Sequence, residues 1–318
     1  MITRRDFLAA SSAALLSPMG MAVATSDVLS PLSNQASVGK TIIDWSYGMR
    51  PIFCIAYIDP GIKSQRGQEL SVAKYPLALV PQDDRPHFRA WREKVRQYNP
   101  DIKLLAYQMV IEEPTVPGPG HDVYRNLEHV WVEYPGGFVP TVTYRTNVGA
   151  RKRIFDPRNE KWREGFLKAC NAVMESDDYD GLFLDQCTIY QKAALTEHVR
   201  DQMFVSLNNV LNDLRAQMPS KILIGNSRYS FPSLNGEMNE SRPKELKKET
   251  RILAGREPRR LELFHYYMKN YQDTESAKKL FRLALENKAF FGVNVNAQTV
   301  KTYEFIDEIL DEYIIKVS

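Results

Sequence analysis

Eight short, continuous apolar runs, several of them separated by longer amphipathic segments, constrain the fold of this chain more than any other feature. The runs read as strands at Ile52–Ile58, Leu77–Val80, Lys103–Met109, Tyr179–Asp185, Ile222–Asn226, Leu234–Glu237, Leu261–Tyr266 and Phe290–Asn296. They are continuous rather than alternating, as expected of parallel strands covered on both faces. Between them, His87–Tyr98 carries Phe88, Trp91, Val95 and Tyr98 on one helical face, and Trp162–Met174 carries Trp162, Phe166, Leu167, Cys170 and Val173. Met203–Met218, Ser276–Leu285 and Thr302–Ile315 repeat the 3.6-residue pattern. Eight strand candidates alternating with helices predict an α/β chain folded as a single-domain (β/α)8 TIM barrel over 40–318. A doubly wound sheet is the alternative, but no glycine-rich phosphate loop follows the first strand. Residues 59–74 are polar and broken by Gly and Pro, so the first crossover helix is expected to be short or missing.

The chain opens outside this pattern. Arg4-Arg5, a modestly apolar run through Leu16 and the small-residue end Ala22-Val23-Ala24 read as a twin-arginine export signal over 1–24. Cleavage is expected after Ala24, with delivery to the periplasm or the exterior by the twin-arginine machinery. The segment is too short for a stable membrane span. A polar leader, 25–39, follows, and what remains is ample for one barrel of about 250 residues.

Charge and cysteine content narrow the chemistry. A net charge of +3, with Lys and Arg interspersed among Asp and Glu, argues against nucleic acid as partner. The three cysteines, Cys54, Cys170 and Cys187, lie in apolar runs at spacings that fit no zinc motif and read as buried thiols. Five scattered histidines form no HExxH or HxH pair, so no metal or other cofactor is expected. Residues 113–155 are rich in Pro, Gly and aromatics. So long a loop after the third strand is expected to cover or line a cleft.

The sharpest motif is Tyr179-Asp180-Gly181-Leu182-Phe183-Leu184-Asp185-Gln186, a buried strand ending in a carboxylate. It follows the helix opened by Asp156-Pro157-Arg158-Asn159, with Asp156 as expected N-cap. A charge at the carboxyl end of a barrel strand points into the mouth where this fold does its chemistry, so Asp185 is the first catalytic candidate. Glycosidic cleavage ordinarily uses two carboxyl groups, one protonating the leaving oxygen and one attacking or activating water. Ser233-Leu234-Asn235-Gly236-Glu237-Met238-Asn239-Glu240 offers the second. Glu237 is expected to close the strand, and Glu240, in the loop beyond, is held in reserve. Other strand ends supply candidate substrate contacts: Tyr57, Asp59, Tyr107, Gln108, Gln186, Asn226, Arg228, His265 and Asn294, with Tyr266 and Asn296 beside them. Aromatic faces stack on sugar rings, while amides and carboxylates bind hydroxyls.

Asn99-Pro100-Asp101-Ile102-Lys103-Leu104-Leu105-Ala106-Tyr107, Phe155-Asp156-Pro157-Arg158-Asn159-Glu160-Lys161-Trp162 and the Tyr179–Asp185 strand, in that order, resemble the glycoside hydrolase barrels related to endo-α-1,4-polygalactosaminidases. The resemblance covers 50–190 by motif and the remainder by pattern. It implies a polysaccharide or oligosaccharide substrate, no metal and an acid at Asp185. In that family the strand-end Asp is often followed by Asn, where this chain has Gln186. A glycan-binding barrel without catalysis, serving an exopolysaccharide system, would use the same aromatics and amides. A metal-dependent hydrolase would need more strand-end ligands than His265.

Overall fold

A computed structural model of the protein describes residues 50–112, 120, 155–187, 189, 196–227, 231–240, 261–301 and 303–317. The signal and leader segments, nearly all of the 113–155 loop, and Arg228 lie outside the described residues. Eight strands run in sequence order: β1 Cys54–Ile55, β2 Leu77–Val80, β3 Lys103–Met109, β4 Gly181–Asp185, β5 Ile222–Gly225, β6 Gly236–Glu240, β7 Leu261–Tyr267 and β8 Phe290–Asn294. All neighbouring pairs are parallel. The ring closes where Ile52 bridges Phe291, with Phe53 N donating to Phe291 O at 3.1 Å and Phe291 N to Pro51 O at 2.9 Å. This is the expected (β/α)8 TIM barrel.

The described helices are α1 Glu69–Ala73, α2 Pro86–Tyr98, α3 Glu160–Met174, α4 Glu197–Gln217, α5 Thr274–Glu286 and α6 Glu304–Val317. The first crossover is indeed reduced, to a 3-10 turn at Lys63–Gln65 and the five-residue α1. Helix α3 corrects one local expectation. Its cap is Asn159, whose side chain accepts from Lys161 N and Trp162 N, while Asp156 pairs with Arg158 two residues later.

Strand parity divides the apolar residues into two cores. Phe53, Ile55, Leu77, Leu79, Leu105, Tyr107, Phe183, Ile222, Ile224, Met238, Leu261, Leu263 and Phe290 pack together inside the ring. Their strand neighbours Cys54, Ala78, Leu104, Ala106, Leu182, Leu184, Leu223, Phe264 and Phe291 face the helices with Trp91, Trp162, Phe166 and Phe281. Gly236 opens β6 because a Cβ there would fall 1.7 Å from Leu261 O, so only glycine permits the close pairing that starts the strand.

The two ends of β4 carry aspartates in opposite surroundings. At the amino end, Asp180 accepts from Arg96 and from Leu104 N, both at 2.9 Å, and lies near Lys103. It is neutralised and ties β4 to β3 and α2. At the carboxyl end stands Asp185, facing the lumen.

Candidate active site

Asp185 is buried, with 7% of its surface exposed, and three donors converge on its carboxylate. Tyr107 Oη donates to Oδ2 at 2.7 Å, while Asn226 Nδ2 and Gln186 N donate to Oδ1 at 2.8 Å each. Donors alone match an ionised carboxylate, which can only accept. Burial nevertheless pushes its pKa above the ordinary aspartate value. The Tyr107, Asn226 and Gln186 bonds oppose that shift, and the nearby charge of Glu112 adds to it. An acid held between these opposing pushes fits a group that must change charge during a reaction.

Tyr107 itself meets the edge of Tyr57, ring centroids 5.1 Å apart, and lies over Phe183 at 6.2 Å. Gln186 adopts φ 60°, a left-handed conformation uncommon outside glycine and asparagine. That turn brings its backbone N–H back onto Asp185.

The shape of the barrel decides which acid of β6 stands level with Asp185. Register runs Leu184–Gly225–Glu237 across β4, β5 and β6, so the position paired across from Asp185 is Met238. Followed once around the ring, the pairings slip by about one residue per strand, the shear of eight usual for this fold. Two strands on, the residue level with Asp185 is therefore Glu240, and four strands on it is Asn294. Met238 belongs to the inner core, so Glu240 shares its inward face while Glu237 and Asn239 face outward. The expected strand Leu234–Glu237 is corrected to Gly236–Glu240: Glu237 lies near its start, not at its end. Its register partner Glu262 is likewise buried on the outer side.

The same parity sorts the other candidates. Tyr57, Tyr107 and Asn226 gather around Asp185, and Gln186 joins through its backbone. His265 and Asn294 face the lumen and bond to each other at 3.0 Å. Gln108, expected to bind substrate, instead turns outward, fully buried, and bonds to Met109 O and the Gln82 amide. Tyr266 also turns outward, donating to Asp273 at 2.7 Å beside the start of α5. Asn296 accepts from Gln298 N in the turn after β8. Asp59 sits beyond β1 on the rim, 3.6 Å from Arg85 and 3.5 Å from His87. Two residues escaped the sequence reading. Tyr267 takes the inward place expected of Tyr266, its ring 4.2 Å from His265. Glu112, buried beyond β3, presses electrostatically on Asp185. A charge directly after the apolar pair Val110-Ile111 was its only signal. Among the described residues no group of three His, Cys, Asp or Glu side chains is disposed to hold a metal ion. No described helix is long and apolar enough to cross a membrane.

Residues 96–258, just over half of the chain, match hypothetical glycosyl hydrolase family 15. The chain belongs to this family. Its enzyme class is accordingly that of a glycoside hydrolase. The family 15 segment contains Tyr107, Asp185, Asn226 and both acids of β6. No curated protein sequence matches significantly. Among solved structures, the glycoside hydrolase domain of PelA from Pseudomonas aeruginosa aligns with a TM-score of 0.55 at 16% identity, covering 79% of this chain and 96% of that one. A point variant of that PelA domain aligns with a TM-score of 0.56, also at 16% identity, over 79% and 97% of the two chains. The GH36 α-galactosidase AgaB from Geobacillus stearothermophilus aligns with a TM-score of 0.53 at 9% identity, over 84% of this chain but 41% of that longer one. At these identities the likeness is one of fold, and it agrees with the family 15 barrel described above.

Proposed function

We propose that this family 15 member cleaves a polysaccharide or oligosaccharide by a metal-independent mechanism, with Asp185 and Glu240 as the carboxyl pair. The observation that carries the reading is the placement of both acids on inward positions of one barrel level, two strands apart. Two strand spacings amount to roughly 10 Å between backbones. Inward side chains shorten this toward the carboxyl separations of glycoside hydrolysis, about 5–5.5 Å for retention and 6.5–9.5 Å for inversion. Asp185, surrounded by donors, suits the anionic role: attack on the anomeric carbon, or removal of a proton from the water that attacks it. Glu240 suits the acid, passing its proton to the glycosidic oxygen as that bond breaks. Tyr57 and Tyr267 offer aromatic surface for sugar rings beside the pair.

The resemblance to polygalactosaminidase-like barrels supports amino-sugar polymers as the first substrates to try. Export by the twin-arginine route, on the strength of Arg4-Arg5, completes the proposal and places the enzyme where such polymers occur.

The test is hydrolysis of a panel of amino-sugar and neutral glycans by the wild type, Asp185→Asn and Glu240→Gln. Each substitution is expected to lower kcat by roughly 10³-fold. An active wild type matched by either variant would remove that residue from the pair. Glycan binding that survives both substitutions, without turnover by the wild type, would favour a binding barrel instead.

A further inference from the structure

Strand β2 ends at Val80, opposite Ala106. Two residues on, Gln82 Nε2 donates to Tyr107 O at 2.8 Å, so a buried side chain continues the pairing along β3 where the strand stops. The same nitrogen donates to Gln108 Oε1 at 3.0 Å, and Gln82 Oε1 accepts from Gly120 N at 2.7 Å. Both amide protons and the carbonyl are used, and only one orientation of the amide matches these partners. Gln108 is fixed in turn, its Nε2 donating to Met109 O at 2.9 Å. A directional chain therefore runs from Gly120, in the long segment between β3 and α3, through two buried glutamines to the backbone of β3. Each bond in such a chain polarises the next.

Gln82 is itself held on both sides. Tyr179 Oη donates to the Pro81 carbonyl at 3.1 Å, and Arg92 donates to that of Asp83 at 2.7 Å. At the far end, Gly120 sits so tightly that a Cβ there would fall 2.4 Å from Gln108 Oε1 and 2.9 Å from Ala169 O on α3. A buried amide is costly unless its polar atoms are matched, and here all of them are. The chain ends on the residue whose phenol touches Asp185. Tyr107 Oη lies at the tip of a long rigid side chain, so a small tilt of its backbone displaces the hydroxyl further than the Cα. Holding the Tyr107 carbonyl thus holds the 2.7 Å bond to Asp185 Oδ2.

We propose that Gln82 is a positioning residue for Asp185: it grips the Tyr107 carbonyl so that the phenol stays on the carboxylate, and its bond from Gly120 makes that grip depend on the segment after β3. The inference rests on the reading of Asp185 as the anionic member of the carboxyl pair. Glu112 and the protonated Cys187 thiol, which lie within electrostatic reach of Asp185, and Glu240, two strands on, are unchanged in every variant below.

Titration of the Asp185 carboxyl by NMR tests it without any substrate. The full chain is labelled with 13C at the aspartate carboxyls, and the Asp185 resonance is assigned by its loss in Asp185→Asn. Gln82→Met keeps the length of the side chain and removes its hydrogen bonds. The Asp185 pKa should rise by roughly half a pH unit in this variant, short of the rise in Tyr107→Phe, because a loosened phenol stabilises the ionised form less. In the double variant the rise should equal that of Tyr107→Phe alone, since without the phenol Gln82 has nothing to position. Gly120→Ala perturbs the far end of the chain and removes no buried polar group. It should raise the pKa by a smaller amount, and it carries the test if Gln82→Met does not fold. An Asp185 pKa at the wild-type value in folded Gln82→Met, or in Gly120→Ala where Gln82→Met does not fold, overturns the proposal. So does a Gln82→Met rise that persists undiminished on the Tyr107→Phe background, which would mark Gln82 as acting by another route. A fully active Asp185→Asn would end the reading of Asp185 as catalyst without altering the titration, so the two failures are distinguishable.

Discussion

Tyr107 Oη donates to Asp185 Oδ2 at 2.7 Å, joining the adjacent strands β3 and β4 at the floor of the proposed site. A short bond from a phenol to a buried carboxylate favours the ionised form, against the burial that disfavours it. Tyr107→Phe leaves the aromatic contacts with Tyr57 and Phe183 and removes only that bond. The acidic limb of the kcat/KM profile should move upward by roughly one to two pH units, given roughly 1.5–3 kcal/mol for a hydrogen bond to a charged group. Glu112→Gln should move it downward, because the charge that raises the Asp185 pKa is gone. A limb that moves the same way in both variants would show that Asp185 does not control it.

Asp185 also makes a stability prediction whose sign is fixed by its shift. Its carboxyl titrates higher in the folded chain than the ordinary 3.8, so folding binds that proton more tightly. Its contribution to stability is fully present below the ordinary value and is lost as pH rises through the folded one. Asp185→Asn keeps acceptors for Asn226 and Gln186 and carries no charge. Its Tm should equal or exceed that of the wild type at neutral pH, with the difference shrinking on acidification, although activity is lost. Thermal melts at two pH values check this. A variant markedly less stable at neutral pH would contradict the burial account.

Gln186 stores backbone strain beside the carboxylate. At φ 60°, a long side chain costs about 1 kcal/mol that asparagine, with its own local hydrogen bonding, largely avoids. Gln186→Asn should raise Tm by a few degrees and leave kcat within a factor of a few. A physical reason thus exists for the Asn common in the resembling family: the position demands a left-handed turn. Destabilisation by Asn at 186 would rule out that explanation.

Glu237 and Glu240 are three residues apart and face opposite sides of one sheet. Glu237→Gln should retain most of the wild-type turnover per folded molecule, with any loss appearing in Tm, since its side chain is buried on the outer face. The comparison with Glu240→Gln is decisive when activity is normalised to folded protein measured by circular dichroism. A dead Glu237→Gln beside a live Glu240→Gln would reverse the assignment.

The barrel itself was legible in the letters. Continuous apolar runs such as Leu77–Val80 and Lys103–Met109, with helical stripes such as that of Pro86–Tyr98, are determined by local periodicity, and the strands formed within one or two residues of the expected places at most positions. Asp185 was legible too, because an acid directly after Gly-Leu-Phe-Leu has few roles but a strand end. What no run of letters contains is parity and shear. A strand's side chains alternate, so a boundary displaced by three residues at β6 exchanged Glu237 for Glu240, and the same alternation exchanged Tyr266 for Tyr267 and turned Gln108 away from the lumen. Which acid stands level with Asp185 depends on the slip of register around the closed ring. That slip is a property of eight strands meeting at once, and only the tertiary structure decides it.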